Sequence, residues 1–480
     1  MMTLPIRVKT ALQLSTFLCA GLFFTSCSSS DNPIALISSE NSTTTTVAIE
    51  NLDLPYREFL LIAIEDISQF WNKQYSEAYG GAYSDLAGGI HAALPKSNET
   101  MPSGCEYYGE YSFVEDNAFY CPDGDFIVYD DAQLFPEFAD EFGPLVTAVI
   151  LAHEWGHAIQ SPARNNVLDA LRGTTLELQA DCFAGAWVGN VQGNTINGLS
   201  FSDADITGAL LGMMQIGDAP GDSSYDPNAH GSGFDRVSAF QDGFVGGLAP
   251  CIDYENNQPQ PLQFGFSAEE LSRPNPGDFT FDQEMFTSLG NDLTLFWTAM
   301  IAEEASWTPP MLIVNSQGDP SALCSDSQID TIVDGVYFCP NDSTVIVNEA
   351  TAFEYYSNIP GDFAVGYLAA LGFAEAAQRA TQSELSGSAR LLLSSCYAGL
   401  WAGDIIPLNP DPVVVPTEKE PRISLSPGDL DEAVRAALTL SDTQPTPIDL
   451  GSPFDRVDAF RQGVTRGTDG CVALIDSLNN

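Results

Sequence analysis

Residues 145–160 read LVTAVILAHEWGHAIQ. The stretch follows Gly143-Pro144, a good helix start. Its apolar residues fall on nearly every side, which predicts a buried helix. Into that background it sets His153, Glu154 and His157. The histidines are spaced i and i+4, so they share a face one turn apart. Two imidazoles so placed can converge on one metal ion. Glu154 is rotated aside, where it can reach a metal-bound water but not easily the metal. This HExxH pattern supplies two zinc ligands and a general base. The competing reading is a pair of buried histidines satisfied by hydrogen bonds.

A second stretch bears on that choice. LGFAEAAQ, residues 371–378, stands 218 residues after HEWGHAIQ and is part of an internal repeat. CPDGDFIVYDDAQLFPEFAD from Cys121 faces CPNDSTVIVNEATAFEYYSN from Cys339. DCFAGAW faces SCYAGLW, GFDRVSAFQDG faces PFDRVDAFRQG, and EDISQFW faces NDLTLFW. Two related domains follow, at 52–256 and 275–480, with a Pro/Asn/Gln-rich linker at 257–274. Each copy predicts the same order. A helix with a Phe-Trp pair leads to a Cys-bounded region with one strand (DFIVYD or STVIVN). Two apolar helices come next, then a helix capped by Ser202 or Asp203 (Ser426 in the second copy), then a helix from the FDRV stretch. The class is mainly α with a small β element: two tandem helical bundles.

Zinc needs a third protein ligand. The next helix offers ELQAD, with Glu177 and Asp181 again i and i+4. Glu177 also has a local reading, as the capping-box partner of Thr174. In the repeat, His153, Glu154 and His157 face Leu371, Gly372 and Glu375, while Thr174, Glu177 and Asp181 face Ser388, Leu391 and Ser395. The cap type survives and the glutamate becomes leucine, which implies an inward face for Glu177. Polar groups there need a metal or a partner. The polar positions change together while Cys, Trp and FDRV are kept, so they read as one site. His230 faces Leu450 and disappears with them; we expect it to approach the metal from the substrate side and stabilise a developing oxyanion. Arg236 is retained as Arg456, so it reads as a structural ion-pair partner, of Asp235. Nothing in the sequence places His91 near the site.

The remaining features concern context. Arg7 and Lys9 precede an apolar run, Ala11 to Phe24, too short to span a membrane; residues 1–26 read as an export signal. FFTSCSSSD resembles a bacterial lipoprotein signal, in which Cys27 becomes the lipidated first residue; plain secretion is the alternative. Residues 27–51, with ENSTTTT, read as a tether. The expected location is the cell envelope, on its periplasmic or extracellular face, with membrane contact only through the lipid. Setting aside Cys19 and Cys27, the cysteines fall four to each copy, and in an exported chain disulfides are their expected use. We expect Cys105–Cys121, Cys182–Cys251, Cys324–Cys339 and Cys396–Cys471. The formal charge of -48 argues against nucleic acid or anionic surfaces as partners.

HEWGHAIQ, ELQADCFAGAW and HGSGFDRVSAF, with FYCPDGDFIVYD upstream, resemble in order and spacing the putative neutral zinc metallopeptidases of bacteria. The resemblance covers roughly residues 54–256. It implies a gluzincin-like helix pair with His153, His157 and Glu177 as ligands to one Zn2+, Glu154 as catalytic base and Asp181 orienting an imidazole. The implied substrate is a peptide or protein. The second copy resembles the same fold without its ligands. The strand ending near Asp130 could align an extended peptide by edge pairing. The alternative from a different class is a non-catalytic binding or scaffold lipoprotein with a purely structural zinc; a zinc hydrolase acting on another bond is a third.

Overall fold

The computed structural model describes residues 55–479, except 96–101, 106–108, 162–163, 165–170, 172, 194–197, 225, 227–228, 302–306, 360, 408–422 and 442–447. The export signal, Cys27 and the tether lie outside the described residues.

The chain is mainly helical with two small sheets. The first half runs α1 (Pro55–Tyr79), β1 (Gly89–Ala93), β2 (Ala118–Cys121), β3 (Phe126–Asp130), α2 (Leu134–Phe142), α3 (Leu145–Gln160), α4 (Thr174–Gly193), α5 (Asp203–Gln215), α6 (Gly233–Gly246) and α7 (Leu248–Asp253). The second half runs α8 (Gln283–Ile301), β4 (Met311–Asn315), β5 (Asp330–Val333), β6 (Val336–Cys339), β7 (Thr344–Asn348), α9 (Glu349–Asn358), α10 (Phe363–Ala380), α11 (Gly387–Asp404), α12 (Asp429–Thr439) and α13 (Pro453–Leu478). The sheets are ordered β1-β3-β2 and β4-β7-β6-β5. FIVYD is buried along its whole length, as an apolar run in a central strand should be. β3 therefore has neighbours on both sides. This corrects the expectation of edge pairing at Asp130: β3 offers no edge.

Matching residues hold each half together in matching ways. The Trp187 indole donates to Asp66 and the Trp401 indole to Asp292, each at 2.8 Å. A Cβ on Gly185 would meet Phe240 O at 1.9 Å, and one on Gly399 would meet Phe460 O at 2.0 Å. α4 thus crosses α6, and α11 crosses α13, backbone to backbone. Gly247 and Gly467 break the last helix of each half with nearly the same positive-φ geometry. Four cysteine pairs lie at bonding distance, Cys105–Cys121, Cys182–Cys251, Cys324–Cys339 and Cys396–Cys471, with Cα separations of 5.5 to 5.8 Å. Cys182–Cys251 closes a 69-residue separation, and a loop of that size stabilises by about 4 kcal/mol in the chain-entropy account.

The halves share one apolar core. Phe234 of α6 packs on Phe460 of α13, and Phe454 of α13 packs on Phe244 of α6. α5 touches α13 as α12 touches α6. Asp431 on α12 accepts the Gly233 and Phe234 backbone N–H groups at the start of α6. Of the two capping expectations, the first agrees with the structure and the second does not. Ser202 caps α5 in a full capping box with Asp205. In the second half Pro427-Gly428 replaces Asp203-Ala204, and the helix starts later, after Gly428 in the left-handed region. Ser426 instead donates its hydroxyl to Glu270 and to Gly277 O. Among the described residues no helix is long and apolar enough to cross a membrane.

Candidate metal centre

α3 and α4 meet at Gly156, where a Cβ would fall 2.9 Å from Ala180 Cα. This close approach sets Glu177 and Asp181 of α4 against the histidines of α3. His153 Nε2 and His157 Nε2 are 3.1 Å apart, and each lies 3.3 Å from Glu177 Oε2. Donors about 2.0–2.1 Å from a tetrahedral zinc would be separated by about 3.3 Å. The donor set and its spacing therefore fit zinc. The corner is open on one side: the His157 and Glu177 side chains keep 18% and 20% of their exposure, against 7% for His153.

Both outer ring nitrogens are engaged, which leaves the inner ones free to coordinate. His153 Nδ1–H donates to Asp181 Oδ1 at 2.7 Å. Asp181 in turn accepts from Arg236 Nε and Nη2, both at 2.9 Å. His157 Nδ1–H donates to Gln160 Oε1 at 2.8 Å, and Gln160 Nε2 reaches Leu176 O and Gln179. Glu154 Oε2 accepts the Tyr120 backbone N–H of β2 at 2.9 Å.

The charges are strongly coupled. Burial would lower His153, but Asp181 and Glu177 outweigh it and raise the imidazole to about 10. Burial opposes protonation at His157 too, and Glu177 raises it. Burial works to raise Glu177, yet the two imidazoles hold it well below the usual carboxylate range. Burial pushes Glu154 up, against the pull of both rings. Three carboxylates around two imidazoles leave the corner suited to a divalent cation.

The structure also departs from the sequence reading. Arg236 pairs with Asp181, not Asp235, because it points inward from α6 toward the histidines. Asp235 instead takes Ser232 Oγ and the Leu262 backbone N–H of the linker. The Thr174 hydroxyl donates to Ser224 O, and Glu177 faces the imidazoles as the repeat implied, so no capping box forms. His230 is not part of the three-donor group. Its Nδ1 lies 3.8 Å from Asp218 and its ring side is 36% exposed. Its loop does border α4: a Cβ on the next residue, Gly231, would touch Thr174 and Leu178 at 3.3 Å. His91 sits in β1, bonded to Gly88 O, away from the corner.

Residues 98–254 match the putative neutral zinc metallopeptidase family. The metallopeptidase match contains all three donors, Glu154, Asp181 and Arg236, and ends before the linker. Uncharacterized protein YpfJ of Escherichia coli (strain K12) is 30% identical over 150 residues, 27% of this chain and 50% of that one. An uncharacterized protein of Mycobacterium tuberculosis (strain ATCC 25618 / H37Rv) is 30% identical over 152 residues, 27% of this chain and 52% of that one. The chain thus spans about half the length of the curated relatives it matches. No solved structure matches it.

Outside the metallopeptidase match, the second half fills the same corner differently. Glu375, at the place of His157, is bound by Arg379 Nε at 2.7 Å and by Arg390 Nε and Nη2 at 2.6 and 2.7 Å. Arg379 also bonds Asp330 on β5. β5 pairs with β6 there, Asp330 opposite Phe338, the residue that matches Tyr120.

Proposed function

We propose that the protein is an exported zinc-dependent endopeptidase, anchored through a lipid on Cys27, with one Zn2+ in the first half and a second half that does no chemistry. The observation that carries this reading is the set of three donor atoms 3.1–3.3 Å apart, with Glu154 beside them on the same helix. His153, His157 and Glu177 would hold the metal. When bound, zinc supplies Lewis acidity for activating water and polarising a carbonyl.

The protein's own groups then have defined tasks. Glu154 takes a proton from the attacking water and passes it to the leaving amine. Burial raises its pKa, which brings a carboxylate closer to the range a general base needs near neutral pH. The Tyr120 N–H fixes the orientation of that carboxylate. Asp181, held by Arg236, and Gln160 keep the two imidazoles turned toward the metal. His230, 3.8 Å from Asp218, is our candidate for stabilising the oxyanion. A purely structural zinc would more often be closed by four Cys or His ligands. Here the nearby cysteines are paired with each other.

The test is metal analysis together with cleavage of a broad peptide library. Wild type should carry one zinc and cleave in a chelator-sensitive way. Glu154→Gln should keep zinc and lose about 10²–10⁴ in rate. His230→Ala should keep zinc and lose rate to a smaller extent. Zinc without any chelator-sensitive cleavage would sink the peptidase reading in favour of a binding protein.

A further inference from the structure

The second half carries an unassigned cluster of acids at the start of α12. Asp278, Asp429 and Glu432 each offer a carboxylate oxygen, all within 4.8 Å of one another. Asp362 joins them: its carboxylate accepts the Phe279 N–H beside Asp278. Asp429 is 4% exposed, Glu432 7% and Asp362 7%. Asp429 Oδ1 is buried and accepts no hydrogen bond. A buried carboxylate oxygen without a donor is costly, and here it belongs to a cluster of like charge. A small cavity of about 20 Å³ opens between Asp362, Asp429, Ser426 and Gly277, room for one ion or one water.

The backbone is shaped around these acids. A Cβ on Gly361 would sit 1.8 Å from Glu432 Oε1, so only glycine admits that carboxylate. The first half has Pro144 at the place of Asp362 and Gly208 at that of Glu432. There a Cβ on residue 208 would strike Phe142 O at 2.0 Å. The matching corner is thus closed by backbone, and the acids are peculiar to the second half. Burial and then the neighbouring acids push both Asp429 and Glu432 up, and no Arg or Lys is among the groups acting most strongly on either.

We propose that Asp278, Asp362, Asp429 and Glu432 bind a calcium ion that ties the segment leading into α8 to α10 and α12. The donors are all oxygen, which selects a hard cation. Calcium tolerates irregular sets of six to eight oxygens at about 2.3–2.6 Å, whereas magnesium demands a tighter octahedron. The site is independent of the zinc corner and of the peptidase reading.

The experiment uses the full chain, loaded with zinc and freed of calcium. Adding calcium should bind one ion per chain and raise Tm by about 3 °C or more, with zinc content unchanged. Asp429→Asn/Glu432→Gln should abolish both the binding and the shift. No bound calcium in wild type, or an equal shift in the double variant, would overturn the proposal. If the variant does not fold, crystals of wild type soaked in terbium decide. An anomalous peak among the four carboxylates is expected, and a peak elsewhere or none rejects the site.

Discussion

The corner between α3 and α4 and the corner between α10 and α11 are built on the same frame and finished in opposite ways. In both, a glutamine ties the first helix to the second: Gln160 to Leu176 O, and Gln378 to Arg390 O. In the first, that glutamine also orients a metal-capable imidazole. In the second, Glu375 is clamped by two arginines, and β5 lies along β6 where the first half leaves Tyr120 N–H to Glu154. The frame does not depend on which polar group fills the corner. It does require that a buried charge be neutralised: guanidinium groups do so in the second half, and the donors of the first half are spaced for a cation.

The largest test writes the second corner into the first. His153→Leu, His157→Glu and Glu177→Leu together should drop zinc from one per chain to background and end cleavage. Retained zinc in that protein would place the metal elsewhere and break the comparison. Next in size is Asp181→Ser, which installs the residue found at 395. Zinc affinity should fall about 10–100-fold by competition with a chelator, because His153 loses its acceptor and Arg236 its counter-charge.

Two smaller effects concern the second corner. Glu375→Ala should cost about 2 kcal/mol in denaturant unfolding, less than a fully buried ion pair because Arg379 is 41% exposed. Its zinc content should be unchanged; a loss of zinc would mean that the second corner contributes to the metal. Smallest is Gly372→Ala, at the place of Glu154. Its Cβ would lie 2.4 Å from Val345 Cγ1, an overpacking worth about 1 kcal/mol. Val345→Ala should relieve it. If Gly372→Ala is neutral alone, the second corner has slack for a glutamate, and the two corners differ less in packing than in charge.

The helices and the three donors were legible because their spacing is local: i and i+4 on α3, and an inward glutamate that the repeat turns into leucine. What could not be read depends on partners far apart in the chain. Arg236 looked structural because Arg456 is kept. Yet Arg456 donates to the carbonyls of Ala437, Leu450 and Gly451, while Arg236 braces Asp181. The residue is retained and its partner is changed, which comparison of the copies residue by residue cannot reveal. Gln160 was overlooked for the same reason. The Tyr120 N–H is backbone and leaves no mark on the sequence. β5 has no described strand opposite it in the first half, so the repeat gave no hint that the second sheet has a fourth strand.

The contact between the halves has a further consequence. Phe234 and Phe454 hold matching places, and each packs on the other half's last long helix. Phe460 matches Phe240 and not Phe244, so the two contacts fall one turn apart; the reciprocity is between helices, α5 with α13 and α12 with α6, as at a two-fold contact, and not between residue pairs. The contact between the halves therefore resembles that of two subunits joined in cis. Two separate subunits would meet only at sufficient concentration, but a tether fixes their effective concentration by geometry. Halves that cannot drift apart keep this contact whatever groups fill their corners. The arginine-filled corner of the second half is what such freedom permits.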